Sequence, residues 1–253
     1  LRRWIRQVML NLFVHTFSQG LQAFMPVAVA LLWFDRHGNT AAASAMRRGL
    51  LLSLPATVFA AWIFQQSANQ ALVVTLFGAV VAIIAALCLR ETWRGGSHRS
   101  LASTGAGRLL VACATAFIVV RQSQELSSVL WVVVVELRSI STMTVMLASL
   151  LLATSSVVVW MWAGYRVSVG GLQAGTRVFA FGFLVQVLLF SIHEGSEAGV
   201  LPWSETVHAA TEMYGPDGRY GVYLSALIFL AAFAVLTSTS RGSDRSHPVG
   251  LAR

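Results

Sequence analysis

The sequence predicts an all-α integral membrane protein with seven transmembrane helices, and three observations carry that prediction. Hydrophobic residues make up 56% of the chain and charged residues only 11%, with a mean hydropathy of +0.69, far from the balance of a soluble domain. Seven windows, near 9–34, 49–66, 71–89, 109–135, 143–164, 172–194 and 221–238, are long and apolar enough to cross a hydrocarbon core, which takes roughly 20 helical residues. The segments between them collect Gly, Asn, Ser and Arg, as connecting loops do. One membrane domain over 1–253 accounts for the whole chain.

The first span, 9–34, begins too late and runs too long for a cleaved signal peptide, although Arg2, Arg3 and Arg6 imitate a basic leader. The chain opens on Leu1 rather than Met, so further residues are expected upstream. Pro26 in the first span and Pro55 in the second can open the backbone ladder and free carbonyls toward a pathway or a neighbour; an ordinary kink is the plainer reading. Cys88 and Cys113 lie within spans, too few for a disulfide framework, and read as small packing residues. Trp131, Trp160, Trp162 and Trp203 suit interfacial anchoring or helix contacts.

All 18 basic residues are arginines, giving a net charge of +8. They gather at the ends of apolar segments, which is a membrane pattern and not a nucleic-acid footprint. Twelve of them (Arg36, Arg47, Arg48, Arg90, Arg94, Arg99, Arg108, Arg166, Arg177, Arg241, Arg245 and Arg253) fall on one side of the membrane, and five (Arg2, Arg3, Arg6, Arg138 and Arg219) on the other. That asymmetry puts the C-terminus and the 239–253 tail inside and the N-terminus outside. Without lysine there is no nucleotide-binding Gly-x-x-x-x-Gly-Lys loop, and no constellation for covalent catalysis is present, so an enzyme is not expected.

Deep in the fourth span stands Arg121-Gln122-Ser123-Gln124-Glu125. Arg121 and Glu125, four apart, share a helical face and can neutralise each other; at that depth such a pair marks a functional site facing protein or water. The first span carries Phe17-Ser18-Gln19-Gly20-Leu21-Gln22 at a constant offset of 103 residues. With three spans between the copies, 9–89 and 109–194 read as two inverted three-helix repeats, an architecture of transporters. Helix pairing through polar and small side chains explains the same positions.

Five of the ten acidic residues, Glu194, Glu197, Glu205, Glu212 and Asp217, lie in the stretch 193–218, most of it in the external segment 195–220. Glu205, His208 and Glu212 recur at i, i+3 and i+7 of a short helix opening near Ser204, and Glu-x-x-His is a ligand spacing of carboxylate-bridged iron sites. His193, Glu194 and Glu197 at the mouth of the sixth span can complete or feed such a site; a solvated acidic helix is the alternative. His15 has no paired His on a neighbouring span, so haem is not expected.

These residues together resemble the high-affinity, oxidase-dependent iron permease family of bacterial and fungal membranes. That family has seven spans, an Arg-Glu-x-x-Glu motif in the first and in the fourth, and a Glu-x-x-Glu-Ala-Gly stretch after the sixth. Arg121 to Glu125 stand at the second motif, Ser18, Gln19 and Gln22 at the first, and Glu194-Gly195-Ser196-Glu197-Ala198-Gly199 matches the third element. Ser18 replaces Arg, and Gln19, Gln22 and Gln122 replace three of the four motif carboxylates. A hard cation prefers anionic oxygen over an amide carbonyl.

The resemblance implies iron transport across a bacterial cytoplasmic membrane, with iron taken up at Glu194, Glu197, Glu205, His208 and Glu212 and passed by Glu125 with Gln19, Gln22 and Gln122. It equally implies a permease-like scaffold that has lost transport and serves in a larger electron-transfer or iron-handling complex. An external oxidase, cytochrome or iron-binding protein is the expected partner, beside the lipid bilayer itself.

Overall fold

A computed structural model of the chain describes residues 2–67, 69–94, 101–131, 139–215 and 218–243, without the side chains of 2–5, 61, 65, 101, 125–131 and 240–243. Outside the described residues lie the end of the expected fourth span at 132–135 and Arg99, Arg138, Asp217, Arg245 and Arg253, as do the side chains of Arg2, Arg3, Glu125, Trp131 and Arg241.

Every regular element among the described residues is helical. In chain order they are α1 (Arg2–Arg36), α2 (Thr40–Gln66), α3 (Gln70–Trp93), α4 (Gly105–Trp131), α5 (Ile140–Arg166), α6 (Val169–Glu197), the short α7 (Ser204–Thr211) and α8 (Gly221–Ser243), with single 3-10 turns at Leu101–Ser103 and Glu212–Tyr214. By length and composition α1, α3, α4, α5, α6 and α8 can cross a bilayer, so the chain is a multi-pass, all-α membrane protein. The second expected span coincides with α2, a helix of 27 residues.

Side-chain caps set the helix starts. Asn39 Oδ1 accepts from Ala42 N–H at 3.1 Å, Asn69 Oδ1 from Leu72 N–H at 3.0 Å, and Ser168 Oγ from Gly171 N–H at 3.1 Å. Gly38, at φ +70°, supplies the left-handed residue that turns α1 into α2, and Gly199, at φ +69°, does the same at the end of α6. The sequence places residues 35–48 in a loop; the structure instead starts α2 at Thr40 and carries Arg47 and Arg48 in its first turns. The Asn39 cap and the alanines at 41–43 and 45, the strongest helix formers, account for the difference. Both Pro26 and Pro55 sit inside unbroken helices.

Packing pairs the two halves of the chain with each other rather than within themselves. α1 lies along α5, α2 along α4 and α3 along α6, while α8 packs on α6 and α1. Exchanging α1–α3 for α4–α6 turns the α1·α5 pair into the α2·α4 pair and leaves α3·α6 and α1·α4 unchanged. Small residues sit where the backbones meet. A Cβ on Gly20 would come within 2.8 Å of Ala153 across α1·α5, one on Gly49 would strike the Ala112 carbonyl across α2·α4, and one on Gly78 would strike Ser191 across α3·α6.

α1 is the central helix, with Leu21, Met25, Val29, Leu32 and Trp33 buried. Trp160 of α5 is fully buried against the rings of Phe179, Phe229 and Phe233, with centroids 6.1–6.5 Å away, so it serves helix contact; Trp162 and Trp203 are exposed. Outward faces are apolar, as lipid requires: Leu51, Leu54, Val58, Phe59 and Trp62 on α2 and Leu147, Leu151 and Val158 on α5 are exposed.

At the end of the bundle where α1, α3 and α5 finish and α2 and α6 begin, arginines close the helix C-termini. Arg36 donates to the carbonyls of Tyr165 and Val167 at 2.6 and 3.1 Å, and Arg177 to that of Thr92 at 3.1 Å. Arg47 pairs with Asp35 at 3.1 Å, and Tyr165 Oη donates to the same carboxylate at 3.1 Å.

Candidate functional site in the buried polar layer

Both copies of the repeated polar pattern are buried in the middle of the bundle. Ser18, Gln19 and Gln22 of α1 and Arg121, Gln122 and Gln124 of α4 are each at most 4% exposed. α1 packs directly on α4, and each copy also faces α6. A charged or amide side chain at such depth is costly unless it is paired, so these six residues form the strongest functional candidate in the chain.

On one side of α6, Gln186 and Ser225 meet the first copy. Gln186 Nε2 donates to Ser225 Oγ at 2.8 Å, and Ser18 Oγ donates to the same oxygen at 3.0 Å, linking α6, α8 and α1. Beside this junction lies a cavity with about 10 Å³ open to a water centre, lined by Leu21, Gln22, Met25, Phe179, Phe183, Gln186, Ser225 and Ile228. A second cavity of the same size is lined by Gly78, Val81, Arg121, Gln122, Val187, Phe190 and Ser191. Neighbouring positions of α6, Gln186 and Val187, line the two cavities, of which the first is neutral and the second contains a guanidinium.

Gln19 Oε1 and Thr16 Oγ1 are buried with no hydrogen-bond partner among the described residues. Such an atom costs roughly 1–3 kcal/mol, an expense that packing alone does not call for. The sequence singles out Ser18, Gln19, Gln22, Arg121 and Gln122, and the structure buries all five; the Glu125 backbone continues α4, and its side chain lies outside the described residues. Gln186 and Ser225 are additions made by the structure. A glutamine inside the apolar window 172–194 is the signal that points to the first of them.

At the opposite end of the bundle from the arginine caps, the acidic segment folds back on α6. His208 of α7 stacks on His193 of α6 with ring centroids 4.8 Å apart, and His193 Nδ1 lies 3.1 Å from Thr211 Oγ1. Glu194 is half-buried, whereas Glu197, Glu205 and Glu212 are exposed. Glu205 and His208 lie on α7, and Glu212, whose N–H bonds to the His208 carbonyl, follows it directly and opens the 3-10 turn Glu212–Tyr214. Among the described residues no three His, Cys, Asp or Glu side chains gather where a metal ion could be held. His193 makes its ring contact with His208, and Cys88 and Cys113 are free thiols.

The comparisons with known proteins decide nothing further. No family model, curated protein or solved structure matches this chain. Its functional reading therefore rests on the buried layer alone.

Proposed function

We propose that the chain is an iron permease-like membrane protein that moves iron ions across a bacterial cytoplasmic membrane. In this reading α2 is the second of seven spans, α1–α3 and α4–α6 are inverted repeats, the N-terminus is outside, and the arginine-capped end is cytoplasmic. The observation that carries it is the burial of both polar copies, Ser18, Gln19 and Gln22 on α1 and Arg121 and Gln122 on α4, at the contact of two helices that the exchange of halves maps onto each other. Polar sites at a repeat interface near mid-membrane are where transporters hold their cargo.

Iron is the cargo here, gathered outside by Glu194, Glu197, Glu205, His208 and Glu212 and handed to Glu125. An oxidase, cytochrome or iron-binding protein outside the membrane would present it. A second reading is favoured by one specific feature, the replacement of motif carboxylates by amides whose cavities have room for about one water each. Under it the protein is a scaffold subunit that no longer transports.

Iron uptake into proteoliposomes separates the two readings. Vesicles with the wild-type chain are expected to accumulate radioactive iron above protein-free vesicles. Uptake equal to that of protein-free vesicles, together with stoichiometric co-purifying subunits, establishes the scaffold.

A further inference from the structure

We infer that the basic end of the bundle binds the headgroups of anionic phospholipids, with Arg48, Arg90 and Arg166 holding the lipid phosphates. Each of α1 to α6 brings at least one arginine to that end, and among the described residues the only carboxylates there are Asp35 and Glu91. Both already have an arginine beside them: Asp35 pairs with Arg47 at 3.1 Å, and Glu91 lies 3.9 Å from Arg94. Arg36 and Arg177 are turned onto helix-end carbonyls. Arg48, Arg90, Arg108 and Arg166 are exposed, with no ion pair among the described residues.

Three of these four sit one helical turn from apolar side chains that face outward. Leu51 and Leu52 follow Arg48 on α2 at 69% and 52% exposed, Leu87 precedes Arg90 on α3 at 44%, and Trp162 precedes Arg166 on α5 at 55%. Spacings of three or four residues put each arginine and its apolar neighbour on one face, about 5.4 Å apart along the axis. In every case the apolar residue is the one nearer the middle of its helix. The Arg166 guanidinium lies 3.9 Å from the centroid of the Trp162 ring, so cation and aromatic form one surface.

A ligand for that surface must carry an anion and an apolar tail within one helical turn of each other. A phospholipid does so, with its phosphate at the arginine and its acyl chain along the leucine or tryptophan. A free phosphate would leave the apolar half unused. The planar guanidinium matches two phosphate oxygens at once, and clusters of basic residues beside a span favour acidic lipids. At the opposite end Glu197, Glu205 and Glu212 are exposed, and their charge repels the same headgroups. The binding requires neither transport nor a fixed orientation of the chain.

Reconstitution of the full chain in nanodiscs of mixed phosphatidylcholine and phosphatidylglycerol, followed by native mass spectrometry of the lipids that stay bound, tests this. The wild type is expected to retain phosphatidylglycerol above its share in the disc. A triple variant carrying Arg48→Gln, Arg90→Gln and Arg166→Gln should retain the two lipids in disc proportion, whereas Arg219→Gln at the acidic end keeps the preference. Retention in disc proportion by the wild type, or an undiminished preference in the triple variant, overturns the proposal. So does displacement of the bound lipid by inorganic phosphate beyond that caused by chloride at the same ionic strength, which would make these arginines a site for the free ion. Should the triple variant fail to fold, each single substitution is expected to remove part of the preference, and no loss in any of them is equally fatal.

Discussion

At the scale of single residues, Ser225 is the point where three helices share one oxygen. Interhelical hydrogen bonds in membrane proteins contribute about 0.6 kcal/mol on average and up to about 1.7 kcal/mol, so Ser225→Ala is expected to destabilise the protein by about 1 kcal/mol in detergent. Ser225→Thr keeps the hydroxyl and should lie closer to the wild type. Thermal unfolding of the two variants side by side checks this; equal losses would mean that packing, not the hydroxyl, matters. Trp160, fully buried among three phenylalanines, makes the contrasting case. Trp160→Ala leaves a large cavity and should cost about 3–5 kcal/mol, read out as loss of folded protein after solubilisation.

At the scale of elements, the helices were largely legible in the sequence, because a bilayer demands about 20 apolar residues and intra-helical bonding for each crossing. Within the described residues the seven expected windows fall on helices, six of which are long and apolar enough to cross a bilayer. Their ends were less legible: Arg47 and Arg48 read as loop residues but belong to α2, since capping by Asn39 outweighs charge in setting the helix start. The site was half legible. Repetition reveals Ser18, Gln19, Gln22, Arg121 and Gln122, whereas Gln186 and Ser225 belong to no repeat and become visible only through the contacts of α6 with α1 and α8. The glycine contacts between elements carry their own prediction. Gly78→Val places a branched side chain onto Ser191, so α3 and α6 must separate. Overpacking of this kind costs about 1–3 kcal/mol or more. A shift in the elution of the purified variant, with weaker protection of α3 from proteolysis, is the expected result.

At the scale of the whole molecule, the halves embrace each other helix by helix, and the arginines collect where α1, α3 and α5 end. Anchored in this way, the basic end is expected on the cytoplasmic side. A reporter fused after Arg253 should signal from the inside; an external signal would overturn the orientation. The same architecture places two polar copies across one helix contact, and the account stands on what they do. Glu125 is the one carboxylate left in the two motifs. The most direct measurement is the initial rate of radioactive iron uptake by proteoliposomes holding the wild type or Glu125→Gln at matched protein content. The account predicts uptake by the wild type that falls to the protein-free background in Glu125→Gln, and wild-type and variant rates that are indistinguishable would contradict it.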